Sequence, residues 1–400
     1  MNIFSLSSAH IPLGHPTIPL LLLASLIPPA SAQPIIQFTY QSQSIKFTEW
    51  ISLLTLCLAP LIAHIIAGVP TPIYLSCRRP AWHSLLGHFN PTSILWRYFV
   101  ITDRRARAKR WRSIDMAANC ALFWTSNGWD GSEEMMLKSR VFCTRIPSLR
   151  RISFTSISAA TTLIVTIQGV QSVYSPMAGF FDGDYAFSLA FNSIFYAIAF
   201  LGLMRLPAAF WLTDDYSYMD INRMQSSRGE EVDGVEMEAV TTKPGSASTL
   251  SAVGLLDLGS GLSISPEEMF HPSNSWRGIL IRMIFLIPLI GSVALSTASI
   301  VQSQPGYGLF FTGTHLALVA FYLILILGVI LIVSVYFWTG NTSNTVLPCI
   351  ETIWYKIYTG VLIVLMIAAI VVSGLETRKS KCGIYTTMRP YYDQFGCADT

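Results

Sequence analysis

Five polar side chains fall inside long apolar runs: His64, Gln168, Gln171, Asn192 and His315. An imidazole or amide in hydrocarbon costs free energy, so such a group marks a path or binding site, or bonds a neighbouring helix. Both groups can donate and accept. Together they would suit a polar path for a small solute, with Pro60 and Pro288 as helix kinks. No Asp or Glu lies inside the runs, which argues against a carboxylate proton relay.

Other reactive residues are placed less suggestively. The seven cysteines form no CxxC and no Cys/His cluster at zinc spacing, so no metal ligand and no cofactor are expected. Cys382 and Cys397 bracket the tail segment Gly383–Gly396. A disulfide closing a loop of that size stabilises by about 3 kcal/mol in the chain-entropy model; two separate thiols are the other reading. His83 and His88 stand five apart and do not share a helix face. No HExxH or GxSxG is present, and Gly259-Ser260-Gly261 lies in a polar loop, so no catalytic residue is assigned.

The stretch Trp96–Arg112 (WRYFVITDRRARAKRWR) interleaves aromatic and basic residues. Arg97, Arg104, Arg105, Arg107, Lys109, Arg110 and Arg112 read as a membrane-surface basic patch. Each such charge contributes about 1 kcal/mol beside an anionic inner leaflet. Similar composition occurs in RNA-binding segments, but no RNA module accompanies it and nucleic acid is not expected as a partner. The expected partners are the lipid bilayer, anionic inner-leaflet lipids through this loop, and proteins through the loops generally.

Six apolar runs must position all of these. Hydrophobic residues make up 52% of the 400 residues, charged residues 12%, and mean hydropathy is +0.49. Such mass in uninterrupted runs, each near the ~20 residues that cross hydrocarbon, predicts an all-α polytopic transmembrane helix bundle. The runs are 50–69, 154–174, 185–204, 279–301, 309–338 and 357–373, of which 154–174 is the most polar. Residues 1–32 read as a signal peptide: Ile18–Ile27 is too short to span, and Ala30-Ser31-Ala32 fits a cleavage site, although no Lys or Arg precedes it. Residues 33–49 then form a short lumenal or extracellular segment, 70–153 a folded basic loop, 206–276 an acidic Ser/Gly-rich loop read as disordered, and 374–400 the tail.

Orientation follows from Lys and Arg. Pro70–Arg151 carries fourteen of them against five acids, which places this loop in the cytoplasm and the tail outside. Five spans are the alternative if 154–174 does not cross. The acidic loop and the sequon Asn341-Thr342-Ser343 would then face outside, and Asn341 could carry a glycan. Seven spans follow if the signal segment is retained. Within the basic loop, Ser113 is expected to cap a helix through Trp124, Asn127-Gly128 to turn, and Ser132 to start another helix.

Asn90-Pro91-Thr92-Ser93, Trp96-Arg97-Tyr98-Phe99, Ile101-Thr102-Asp103-Arg104-Arg105 and Gly128-Trp129-Asp130-Gly131 resemble segments of multi-pass membrane proteins of filamentous fungi. The resemblance implies a fungal setting and brings no activity with it. Three function classes remain: a non-catalytic accessory, scaffold or receptor-like protein, expected by elimination; a transporter or channel along the five polar residues; and a membrane enzyme, the least supported. The expected site is a membrane of the secretory pathway, the plasma membrane foremost.

Overall fold

A helix satisfies its own backbone polar groups, which lets an uncharged run of Leu, Ile and Val cross hydrocarbon. Three of the runs fold as helices long and apolar enough to do so: Trp276–Ala294, Leu316–Thr339 and Ile353–Glu376. The structure, a computed structural model, describes residues 35–37, 46, 48, 51, 64–76, 78–151, 155–182, 202–219, 265–301, 310–383, 385–386 and 390. At 35–37, 171–182, 295–301, 310–312, 315, 319 and 385–386 it describes the backbone alone. The expected signal peptide, the third run up to residue 201 and most of the first run lie outside the described residues.

In chain order the elements are β1 (Ile35–Gln37), β2 (Pro72–Tyr74), α1 (Trp82–Leu86), α2 (Pro91–Arg107), α3 (Ser113–Cys120), β3 (Leu122–Thr125), β4 (Gly128–Asp130) and α4 (Glu133–Lys138). Then come β5 (Cys143–Arg145), α5 (Ile157–Asp182), α6 (Leu206–Ala209), β6 (Ser217–Tyr218), α7 (Pro266–Met269) and α8 (Trp276–Val301). The chain continues through β7 (Phe310–Thr312), α9 (Gly313–Thr339), α10 (Ile353–Glu376), β8 (Arg378–Lys379) and β9 (Tyr385–Thr386).

The helices α8, α9 and α10 form one bundle with α2. Phe285 and Leu289, one turn apart on α8, are fully buried, while Ile279, Leu280, Met283, Ile284, Ile287 and Ile290 are exposed. That split, with apolar residues on both faces, fits a helix packed on one side and bathed in lipid on the other. The helices α9 and α10 approach closely at Gly328, where a Cβ would collide with the Tyr358 ring.

The bundle has two distinct ends. At one, the start of α8 meets the end of α9: Arg282 donates to the carbonyls of Ser273 (2.9 Å) and Phe337 (3.2 Å). At the other, the Glu376 carboxylate closing α10 accepts from Gly313 N (2.8 Å), Thr314 N (2.8 Å) and Thr314 Oγ1 (2.7 Å), capping the start of α9. On that same end β1 pairs in parallel with β7, Ile35 opposite Phe310, and β8 pairs with β9 just beyond Glu376. Residues 35–37 and the tail therefore share one end of the bundle.

The basic loop is folded at the opposite end. Strands β2, β3 and β4 form a small sheet, β2 parallel to β3 and β3 antiparallel to β4. The β3–β4 turn falls at Ser126-Asn127, one residue earlier than expected, and Gly128 opens β4 at φ 104°, a conformation that costs a residue with a Cβ. Ser132 Oγ caps α4 by accepting from Met135 N (3.0 Å). Helix α3 begins at Ser113 but ends at Cys120, not at Trp124. Asp115 closes its first turn on the backbone N–H of Arg112 (2.8 Å), and Trp124 lies in β3, because the sheet's pairing with β2 competes successfully for that segment.

The acidic loop is not disordered at its ends. Residues 202–219 lie on the domain, where Cys120 Sγ donates to the Trp211 carbonyl (3.0 Å) and β6 pairs with β5. Residues 265–276 lie there as well: Lys109 N donates to the Met269 carbonyl (2.8 Å) and His271 N to that of Arg107 (2.9 Å). Composition over the whole loop hid these two apolar, aromatic ends. Its middle, 220–264, lies outside the described residues.

Candidate functional site

Helix α2 carries most of the charge singled out in the sequence. Asn90 caps it, its Oδ1 accepting from Thr92 N (2.9 Å), and Pro91 occupies the first turn, where no N–H is needed. The following residues Ile94, Leu95, Trp96, Tyr98, Phe99, Val100 and Ile101 are all buried. Phe99 packs against Phe337 (4.3 Å between ring centroids) and Phe285 (5.6 Å), and Trp96 against Tyr336 (5.6 Å). Residues 92–104 are buried on every side apart from the half-buried Arg97, so α2 is an interior helix.

This overturns the reading of Trp96–Arg112 as a surface patch. Arg104 and Arg107 are buried, with 1% and 2% of their surface exposed. Arg97 and Arg105 are half-buried, and only Lys109, Arg110 and Arg112 are exposed. Arg97 donates to the carbonyls of Gly68 (3.0 Å) and Cys120. Arg104 donates to Asn119 Oδ1 (3.2 Å) and to the carbonyls of Gly131 and Ser343 (2.5 Å). Arg107 pairs with Asp103 (2.6 Å) and Glu133 (2.5 Å) and donates to the His271 carbonyl (2.9 Å). Each guanidinium thus joins α2 to at least two distant segments. The five fixed N–H groups of arginine suit that role where a lysine's point charge would not.

Burial sets the electrostatics. It lowers the Arg104 pKa to about 10, opposed by Glu133 and Asp103, and it lowers that of Arg97 as well. For Arg107 burial also pulls downward, but Asp103 and Glu133 outweigh it and the net shift is upward. Burial raises the Asp103 carboxyl against the pull of Arg107. All three guanidinium groups stay charged at neutral pH. The cysteines of this end are poor nucleophiles, because burial pushes the Cys120 and Cys349 thiols up to about 11.

A second polar centre lies where the end of the first run meets α5 and residues 202–205. Arg205, 3% exposed, donates to Thr162 Oγ1 (2.9 Å), Tyr98 Oη (3.0 Å), the Ala67 carbonyl (2.5 Å) and Ser158 Oγ (3.4 Å). All of these acceptors are neutral. His64 is buried beside Gly202 and Val165, and its Nε2 has no hydrogen-bond partner among the described residues. Thr166 Oγ1 and Gln168 Oε1 on α5 are likewise buried without a partner among the described residues. Of the five residues of the expected polar path, His64 and Gln168 thus fall on one polar helix interface. Asn192 and the side chains of Gln171 and His315 lie outside the described residues.

Cys382 is disulfide-bonded, and its partner lies outside the described residues, as does Cys397. Asn341 is exposed on the arginine-rich end; its neighbours bind the domain, Asn344 Oδ1 accepting from Gly131 N (3.1 Å) and the Asn344 carbonyl from Trp96 Nε1 (2.9 Å). Sequence reasoning missed both Arg205 as a hub and Glu376 as a cap. Arg205 carried one signal, a lone cation closing an apolar run. No protein-family model, no curated protein and no solved structure matches the chain.

His88 supplies a pH test. It is buried edge-on to Trp129 (4.5 Å), with Nε2 unpartnered, and burial, then the nearby Arg97 charge, lower its pKa from 6.5 to about 3. Between these values the unfolded chain takes up a proton that the folded chain refuses, so stability is lost as pH falls. From pH 6.5 to 5 this amounts to about 2 kcal/mol. Thermal unfolding in detergent should therefore show His88→Gln with a smaller drop from pH 7 to 5 than the parent protein. Equal drops would contradict it.

Proposed function

We propose that the chain is a six-crossing integral membrane protein of the secretory pathway, in the plasma membrane, serving as a non-catalytic scaffold or receptor-like accessory. The observation that carries the scaffold reading is the destination of the arginines. Arg97, Arg104, Arg107 and Arg282 bond main-chain carbonyls of other segments, which ties the basic domain to the bundle as one rigid unit. A domain held in this way presents a fixed cytoplasmic surface to protein partners.

Support for the crossings comes from which segments share an end. Residues 35–37 lie at the Glu376 end and 70–151 at the other, which supports one crossing. Helix α5 leaves the domain at Ser158, and residues 202–219 are back on it, which accommodates two more. Helices α8, α9 and α10 make the remaining three, in alternating directions. The five-span alternative separates the Asn341 loop from the basic domain, against the bonds of Ser343 and Asn344 to Arg104 and Trp96. The excess of Lys and Arg at the domain's end makes that end cytoplasmic.

A second reading, solute transport, draws on the unpartnered His64 Nε2, Thr166 Oγ1 and Gln168 Oε1. Against it stands the close packing of His64 on Gly202. Two experiments bear on these readings. For the topology, glycosidase treatment should leave the native sequon at Asn341 unchanged, while a sequon engineered after Lys381 should acquire a glycan; a glycan on Asn341 would end the six-crossing arrangement. For the activity, proteoliposomes under a potassium chloride gradient should show no flux above protein-free vesicles. A flux that His64→Ala abolishes would replace the scaffold by a transporter.

A further inference from the structure

A groove of about 480 Å³ opens where the first apolar run leaves the bundle. It is lined by Ile66, Val69, the strand β2, Asp214 and the segment Tyr216–Met219, which includes β6. Its volume lies within the range of about 300–1,000 Å³ typical of small-molecule sites. Three features define what it can hold. Ile66, in the described end of the first run, lines the groove and is 69% exposed. Asp214 is exposed, carries the only charge in the lining, and has no ion pair among the described residues. Tyr74, Tyr216 and Tyr218 supply aromatic surface, and the exposed Arg79 guanidinium stands 4.3 Å over the Tyr74 ring.

The neighbouring charges do not cancel this pattern. Arg145 pairs with Asp215, and Arg97, whose charge is attracted to Asp214, gives its N–H groups to the carbonyls of Gly68 and Cys120 and leaves the Asp214 carboxylate without an ion pair among the described residues. A carboxylate among tyrosines favours a quaternary ammonium, by direct attraction and through the negative ring faces. Arg79, standing over Tyr74 at the rim of the groove, favours a phosphate. An added peptide strand fits poorly. The outer edge of β2 is unpaired among the described residues, but it begins with Pro72, which has no N–H to offer.

We propose that the groove holds one phosphatidylcholine molecule from the adjoining leaflet, its ammonium at Asp214 and the tyrosines, its phosphate at Arg79 and its acyl chains along Ile66. Lipid recognition thus moves from the arginines of α2, which face inward, to a groove whose own charge is negative. The site rests on the proposed function only in placing Ile66 at a membrane surface. Were the sidedness reversed, the same lipid would come from the opposite leaflet, so the glycan experiment and the lipid experiment fail separately.

The full chain, purified in a non-ionic detergent, is offered equimolar phosphatidylcholine and phosphatidylserine of matched acyl chains and examined by native mass spectrometry. One phosphatidylcholine should remain per chain, about fivefold over phosphatidylserine. Asp214→Asn, at an exposed position where folding is not at stake, should lower that retention by about fivefold. Arg79→Ala should weaken both lipids alike. Equal retention of the two lipids, preference for phosphatidylserine, no retained lipid, or an Asp214→Asn variant that retains phosphatidylcholine unchanged would each overturn the proposal.

Discussion

Taking a guanidinium out of water costs several kcal/mol unless its N–H groups meet acceptors, and α2 carries Arg104 and Arg107 into the interior within one turn of each other. The acceptors cannot all come from α2, whose own carbonyls are committed to the helix. They come from the Gly131 and Ser343 carbonyls, from Glu133 and from His271, which belong to three separate stretches of chain. Satisfying the two arginines therefore fixes where the β4–α4 corner, the α9–α10 loop and the approach to α8 must sit. The arrangement of this end of the bundle is largely the solution to that one demand.

The same constraint recurs elsewhere with other partners. Arg282 near the start of α8 reaches the Phe337 carbonyl in the last turn of α9, a favourable position for a cation at a helix C-terminus. Glu376 does the converse, presenting a carboxylate to the open N–H groups that begin α9. Arg205 gathers four neutral acceptors where the first run, α2 and α5 converge. In each case a charged group at the edge of an apolar helix joins two ends that dispersion forces alone would leave free to slide. Breaking such a contact strands a buried charge, which is why these groups stabilise one particular arrangement even if the net gain of each is small.

The apolar runs were legible in the sequence because the membrane imposes length and composition directly. The fourth, fifth and sixth runs reappear as α8, α9 and α10 with ends moved by a few residues. The β3–β4 turn, to within one residue, and the helix start at Ser132 were legible because they depend on local chemistry. The fate of the arginines was not, since Trp96–Arg112 has the composition of an interfacial segment and the acceptors that bury it lie up to 239 residues away in sequence. The apolar residues around the whole circumference of α2 were the one signal of burial, masked by the basic residues that follow. Glu376 stayed hidden because its role depends on the distant start of α9.

All of this turns on α2 being an interior helix. Hydrogen–deuterium exchange on the full chain in lipid nanodiscs measures that directly, because backbone amides exchange only when a helix opens. The amides of residues 94–107 should exchange as slowly as those in the middle of α9, persisting for hours. Exchange within seconds across 94–107, with α9 still protected, would show a helix resting on the membrane surface and would contradict the account.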